Sequence, residues 1–166
     1  NAVDDCIFVF ILGGFLAIVT KTGALETGIK VLVKKMKGKE LILIPILMFI
    51  FSIGGTTYGM LEETVGFYAL LAFTMVAAGM DTIVSSAIVL LGAGSGVLGS
   101  TINPFATGAA ISALKDSGIT VNNGLIIFLG IVLWIVSLTI SICFVISYAK
   151  KIIDEKYSTF LSLQEQ

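Results

Sequence analysis

The 166-residue sequence is 57% hydrophobic and only 13% charged, with a mean hydropathy of +1.05 and a formal net charge of −1. A soluble domain carries about 25% charged residues, so this composition excludes one and points to an all-α membrane protein. Every basic residue is Lys. With no His and no Arg, an imidazole metal site, an imidazole proton relay and a bidentate guanidinium clamp are excluded too.

Cys6–Thr20 carries no charge. Extended back to Asn1 it reaches the roughly 17–25 residues that a membrane helix needs, so residues 1–20 are read as a transmembrane helix with Asp4 and Asp5 at the interface. Gly13-Gly14 reads as a packing contact. The run lacks a basic leader and a small-residue cleavage site, which argues against a signal peptide. The first residue, Asn1, reads as the start of an internal fragment of a longer protein. Cys6 and Cys143 are expected as two buried thiols without a disulfide.

Residues 21–40 hold six lysines (Lys21, Lys30, Lys34, Lys35, Lys37 and Lys39) among Ile29, Val31, Leu32, Val33 and Met36. This predicts an interfacial amphipathic segment whose lysines mark the cytoplasmic side. The flanking spans argue against a nucleic-acid surface.

Leu41–Leu61 and Thr64–Met80 are both free of charge and are separated by Glu62-Glu63. Two full spans fit this pattern. A re-entrant helical hairpin over residues 41–80 fits better, because Gly54, Gly55 and Gly59 are costly in a plain helix and non-helical backbone at depth is tolerated where it lines a cavity.

Thr82–Leu114 is uncharged and too long for one straight helix across ~30 Å at 1.5 Å per residue. Residues 82–114 are therefore read as a broken transmembrane helix: Thr82–Leu98, a break over Gly99–Pro104, and a second half over Phe105–Leu114. Lys115–Gly124 reads as a polar outer turn. Residues 125–149 form a plain span ending at Lys150-Lys151, on the cytoplasmic side with the first lysine cluster. Residues 150–166 read as a cytoplasmic linker.

The stretch Gly92–Gly108 organises these elements. Gly94-Ser-Gly96-Val-Leu-Gly99 spells a dinucleotide fingerprint, but its uncharged context excludes the polar-faced helices such a fold requires. Gly92-x-x-x-Gly96 also fits close helix packing. Packing leaves Ser100, Thr101, Asn103, Pro104 and Thr107 unexplained. Pro104 removes a backbone donor and disfavours helix at Asn103, which frees carbonyls before the break. A helix restarting after it presents unpaired N–H groups. Freed carbonyls bind cations and helix N-termini bind anions. The candidate binding residues are accordingly Gly99, Ser100, Thr101, Asn103, Pro104 and Thr107, facing Gly54, Gly55, Thr56, Thr57, Glu62 and Glu63 at the hairpin tip. One of the two glutamates is expected to serve a cation, an ammonium or guanidinium group, or a proton. They are not expected to act together, because adjacent helical residues point about 100° apart. Asp81 reads as the N-cap of the following helix. Tyr58 and Tyr68 read as core or interface packing.

The segments FSIGGTTYGMLEETVGFYALL, AIVLLGAGSGVLGSTINPFATG and ILGGFLAIVTKTGALETGIKVLVKK together resemble the YfcC-type permeases. These are relatives of the anaerobic four-carbon-dicarboxylate carriers and the arginine/ornithine antiporters in the ion transporter superfamily. The resemblance covers essentially Asp4–Tyr157. It implies one inverted repeat with a re-entrant hairpin and a broken helix, the second repeat belonging to the rest of the transporter, and a homodimer. In the sodium–dicarboxylate members a Ser-Asn-Thr hairpin tip and the loop of the broken helix bind a cation. Here the tip reads Gly55-Thr56-Thr57, a departure that lacks the Asn, and the loop reads Gly99-Ser-Thr-Ile-Asn103-Pro104. The implied sodium ligands are Thr56, Gly99 and Asn103.

The expected function is secondary active transport, not enzymatic catalysis, of a small carboxylate-bearing solute in the bacterial inner membrane by an elevator-type movement. Sodium or a proton would couple it, without an organic cofactor. The absence of Arg and the presence of Glu62-Glu63 favour a basic or other amino acid over a C4-dicarboxylate. A passive channel and a non-transporting scaffold are the other classes.

Overall fold

The computed structural model describes residues 7, 10, 11, 14, 15, 18, 21–36 and 38–154. Most of the expected 1–20 span, with Cys6 and Gly13, lies outside the described residues, as do Lys37 and residues 155–166 of the expected linker. The chain divides into two compact units, Asn1–Lys35 and Met36–Gln166. All regular structure among the described residues is helical.

In the first unit the lysine-rich segment forms α1, Ala24–Lys35. Ile29 is buried, while Lys30, Lys34 and Lys35 are exposed. This division follows the helical period, since Ile29, Leu32, Val33 and Met36 fall on one arc and Lys30, Lys34 and Lys35 on the other.

The second unit contains α2 (Glu40–Tyr58), a 3₁₀ turn (Glu62–Thr64), α3 (Val65–Ala77), α4 (Thr82–Leu98), a π turn (Pro104–Gly108), α5 (Ala109–Asp116) and α6 (Asn123–Asp154). Leu41–Tyr58 and Asn123–Asp154 are long and apolar enough to cross a membrane. The apolar helices α3 and α4, of 13 and 17 residues, rise only about 20 and 26 Å, short of a ~30 Å hydrocarbon layer. The helix α5 continues through Lys115 and Asp116, so the polar turn begins two residues later than expected, at Ser117.

Contacts fix the directions of these helices. Gly92 packs on Met48 and Gly96 on Ser52, and Thr56 bonds Gly99. These pairs advance together along both chains, so α2 and α4 run parallel. Against α6 the partners of α4 run in reverse order. Asp81 meets Tyr148, Ser95 meets Ser137, and Gly99 meets Trp134, so α6 is antiparallel to α4. Between α2 and α3, the rings of Phe51 and Phe67 lie 5.4 Å apart.

Glycine makes the α2–α4 contact possible. A Cβ at Gly96 would run into the carbonyl oxygen of Ser52, and one at Gly55 into that of Ala93. Backbone therefore touches backbone, the close approach that small residues permit where lipid offers no hydrophobic drive. The core between these helices is filled by Leu47, Met48 and Phe51 of α2, Leu71 and Met75 of α3, and Ile88 and Val89 of α4. On α6 the buried residues are Leu138, Val145, Ala149 and Ile152. Cys143 is free and exposed rather than buried, because it faces away from that stripe.

At the other end of α4, Asp81 is fully buried. One carboxylate oxygen accepts the N–H of Val84 at 3.0 Å, the N-cap contact that Asp81-Thr-Ile-Val predicts. The other accepts the Tyr148 hydroxyl at 2.9 Å, tying α4 to α6.

Candidate functional site

Two helices end at the same level and point the same way. The helix α2 stops at Tyr58 because Gly59 adopts the left-handed conformation (φ +81°) and donates its N–H to Gly55 O at 3.1 Å, an αL-type helix end. The helix α4 stops at Leu98. Gly99 follows, and its Cα lies so close to the backbone of Trp134 on α6 that a side chain there has no room.

Between the two ends lies a cluster of oxygens. The Thr56 hydroxyl donates to Gly99 O at 2.8 Å and lies 3.2 Å from the Thr101 hydroxyl oxygen. Thr101 donates its amide and its hydroxyl to Thr56 O, each at 3.2 Å. Thr56 is 3% exposed. Two hydroxyls and two carbonyls thus converge in a buried setting, with no charged side chain in the cluster.

The loop after α4 is held by its own side chains. The Ser100 hydroxyl donates to Val97 O, and the Ser100 carbonyl accepts from the Thr107 hydroxyl at 3.2 Å. Asn103 is 2% exposed. Its Oδ1 accepts from the N–H groups of Phe105 at 2.9 Å and Ala106 at 3.4 Å. Its Nδ2 donates to the Ser100 hydroxyl at 3.4 Å. The Asn103 carbonyl accepts from Gly108 at 3.0 Å. Pro104 is the first residue of the π turn, where its missing N–H costs nothing. This corrects the expectation of unpaired N–H groups after the break. The N–H groups of Phe105 and Ala106 are capped by the residue before the proline.

Of the sequence candidates, Thr56, Gly99, Thr101 and Asn103 meet at the two helix ends, with Ser100 and Thr107 bracing the loop. Gly55 serves helix contact. The Gly54 carbonyl accepts the Met60 N–H at 3.2 Å. Thr57 turns its hydroxyl back to Ile53 O at 2.7 Å, away from the cluster. Glu62 and Glu63 lie in the turn that follows. Glu63 is exposed, and the Glu62 side chain is outside the described part of the structure. The Tyr58 hydroxyl donates to the Met60 sulfur at 2.7 Å. Gly94 and Gly96 lie within α4 rather than at a strand–helix turn, which disposes of the dinucleotide fingerprint.

Two residues that meet the site are not among its sequence candidates, although Gly59 is one of the three glycines that disfavour a plain helix. Gly59 sits against the Asn103 amide, and its signal was a glycine just past an apolar run. Trp134 stacks on Phe49 of α2 at 6.2 Å, and no local pattern in α6 announces that contact.

The C4-dicarboxylate anaerobic carrier family matches residues 1–166. A Haemophilus influenzae protein described only as uncharacterized is 38% identical over 153 residues, covering 92% of this chain and 29% of that protein. An Escherichia coli protein named "Putative basic amino acid antiporter YfcC" is 33% identical over 152 residues, again covering 92% of this chain and 29% of that protein. The chain thus spans under a third of the length of either relative. No solved structure matches it.

Proposed function

The chain belongs to the C4-dicarboxylate anaerobic carrier family, a family of membrane carriers, and from that premise we propose that it forms the first inverted repeat of a secondary active transporter in the bacterial inner membrane. The proposed cargo is a small carboxylate-bearing solute, a basic or other amino acid first. A second repeat completes the site, and the transporter is a homodimer. The hairpin α2–α3 is re-entrant, and α4, the break and α5 form the broken helix that moves with it in elevator fashion.

One observation carries this reading: the parallel ends of α2 and α4 converge on the Thr56–Gly99–Thr101 oxygens. A helix C-terminus carries about −0.5 elementary charge, so two together amount to about one negative charge facing the Gly99 carbonyl and the hydroxyl oxygens of Thr56 and Thr101, while the Thr56 carbonyl is taken up by its two bonds from Thr101. That is a cation's environment. The cluster has no group that titrates, which favours sodium there. In this repeat the carboxylates proposed for a coupling proton are Glu62 and Glu63.

Depth agrees. The uncharged part of α6, residues 123–149, centres at Val136, next to Ser137, which donates to Ser95 O at 3.3 Å. Gly99 abuts Trp134, three residues or about 4.5 Å further along α6. With α6 read as a full span, the oxygen cluster would lie near the middle of the bilayer, where transporter sites lie.

Capping by Asn103 leaves this half without a ready anion receptor at the break. The tilt towards a cationic or zwitterionic solute follows from that, from Glu63 in the adjoining turn, and from the name of the Escherichia coli relative. The family's own description favours the second reading, a C4-dicarboxylate carrier, with the carboxylates bound by the second repeat.

Vesicles containing the full-length transporter decide between them. Labelled arginine should enter saturably and exchange against internal substrate. Saturable succinate uptake unaffected by excess arginine would overturn the amino-acid reading. Flux without countertransport would overturn the carrier reading in favour of a channel.

A further inference from the structure

Asn103 sits between the two helix ends but is not arranged as a ligand. An amide oxygen offers two lone pairs, and both lone pairs of Asn103 Oδ1 are engaged by Phe105 and Ala106. Its Nδ2 is a donor and repels a cation. That nitrogen presses on Gly59, where a Cβ would fall 2.7 Å from it. Gly59 is also the left-handed residue that ends α2. The side chain that starts the segment after the break therefore rests on the residue that closes the helix before it.

We infer that Asn103 is a positioning residue: its interlock with Gly59 holds the break loop against the end of α2, so that Thr56, Gly99 and Thr101 keep their spacing. It does not bind the cation or solute itself. The inference rests on the cation reading of the Thr56–Gly99–Thr101 cluster. Gly59 has no side chain to act as a ligand, yet it belongs to the same device, and that separates the two roles.

The test is a double-mutant cycle in the full-length transporter reconstituted in vesicles, using Asn103→Ala, Gly59→Asn and the double variant, with sodium as the probe. Asparagine tolerates a left-handed backbone, so Gly59→Asn adds the Cβ clash with little backbone strain. Positioning predicts that each single variant raises the half-saturating sodium concentration by about tenfold, the scale of one buried hydrogen bond. The double variant should then be no worse than the worse single one. Asn103→Ser keeps an oxygen able to cap the turn but lacks the amide that meets Gly59, so it should recover little of the loss. An unchanged sodium dependence in Gly59→Asn overturns the inference, and so do single effects that multiply in the double variant. If the wild-type transporter shows no sodium dependence, the sodium part of the proposed function fails by itself. The same cycle read on the KM for substrate then decides the interlock, with multiplying effects counting against it.

Discussion

Thr101 donates twice to the carbonyl oxygen of Thr56, through its amide and through its hydroxyl, each at 3.2 Å. The amide bond is independent of side chains, so it should survive substitution at either position. The hydroxyls are what a cation would use. Structure and binding are therefore separable at this pair.

Thr56→Val exploits that separation. It keeps shape and the carbonyl bonds to Thr101 but removes the donor to Gly99 O. Leaving a buried carbonyl unsatisfied costs about 1–3 kcal/mol, so a modest fall in melting temperature is expected. Half-saturating sodium in vesicle uptake should rise tenfold or more. Thr57→Ala removes a hydroxyl bonded only to Ile53 O and Gly54 O in its own helix and should change sodium dependence by less than twofold. Equal effects of the two substitutions would argue against the cluster as the cation site.

The glycines of α4 separate packing from flexibility. Gly96→Ala places a Cβ on the Ser52 backbone, which cannot rotate away. A loss of about 1–3 kcal/mol or more is expected, the cost of overpacking. Gly94→Ala meets nothing within 4 Å and should gain up to about 1 kcal/mol from helix propensity. Thermal melts of the purified transporter check both, and a stabilising Gly96→Ala would contradict the parallel α2–α4 contact.

The helical class and the interruption of residues 82–114 are legible in composition and in Asn103-Pro104, because proline and small polar residues cannot be placed in an apolar helix without consequence. Gly92-x-x-x-Gly96 signals a close helix contact, but which backbone each glycine meets is not legible, since the α2–α4 pairing arises from three glycines meeting backbone at long range. Asn103 is a subtler case. An Asn before a Pro is a helix N-cap followed by an N1 proline, and its oxygen accepts from the N–H groups of Phe105 and Ala106. Gly99, by contrast, offers its carbonyl to Thr56 while its missing side chain makes room for Trp134, two demands on one residue that a sequence pattern does not separate.

The buried contact of Asp81 with Tyr148 predicts a coupled pair. Tyr148→Phe removes one hydrogen bond to a carboxylate and should cost about 1.5–3 kcal/mol. Asp81→Ala removes that bond and the N-cap of α4, itself worth about 0.5–2 kcal/mol, and should cost more. The double variant should cost less than the sum, because the tyrosine bond is counted in both single variants. Strict additivity in denaturation midpoints would mean that the hydroxyl–carboxylate contact contributes nothing.

Glu63 is exposed in the turn beyond Tyr58, and a carboxylate within a membrane protein is costly unless it faces water or a partner. If it receives the ammonium or guanidinium of a substrate, Glu63→Gln keeps the shape and loses the charge. The KM for arginine should then rise at least tenfold while the pH profile of uptake keeps its form. If Glu63 instead carries the coupling proton, the variant should still exchange internal for external substrate but lose pH-driven accumulation. Neighbouring residues of a 3₁₀ turn diverge by about 120°, so Glu62→Gln should not produce the same change. Identical losses from both glutamates, or none from either, would mean that the charge of this turn does not select the substrate and that the second repeat does.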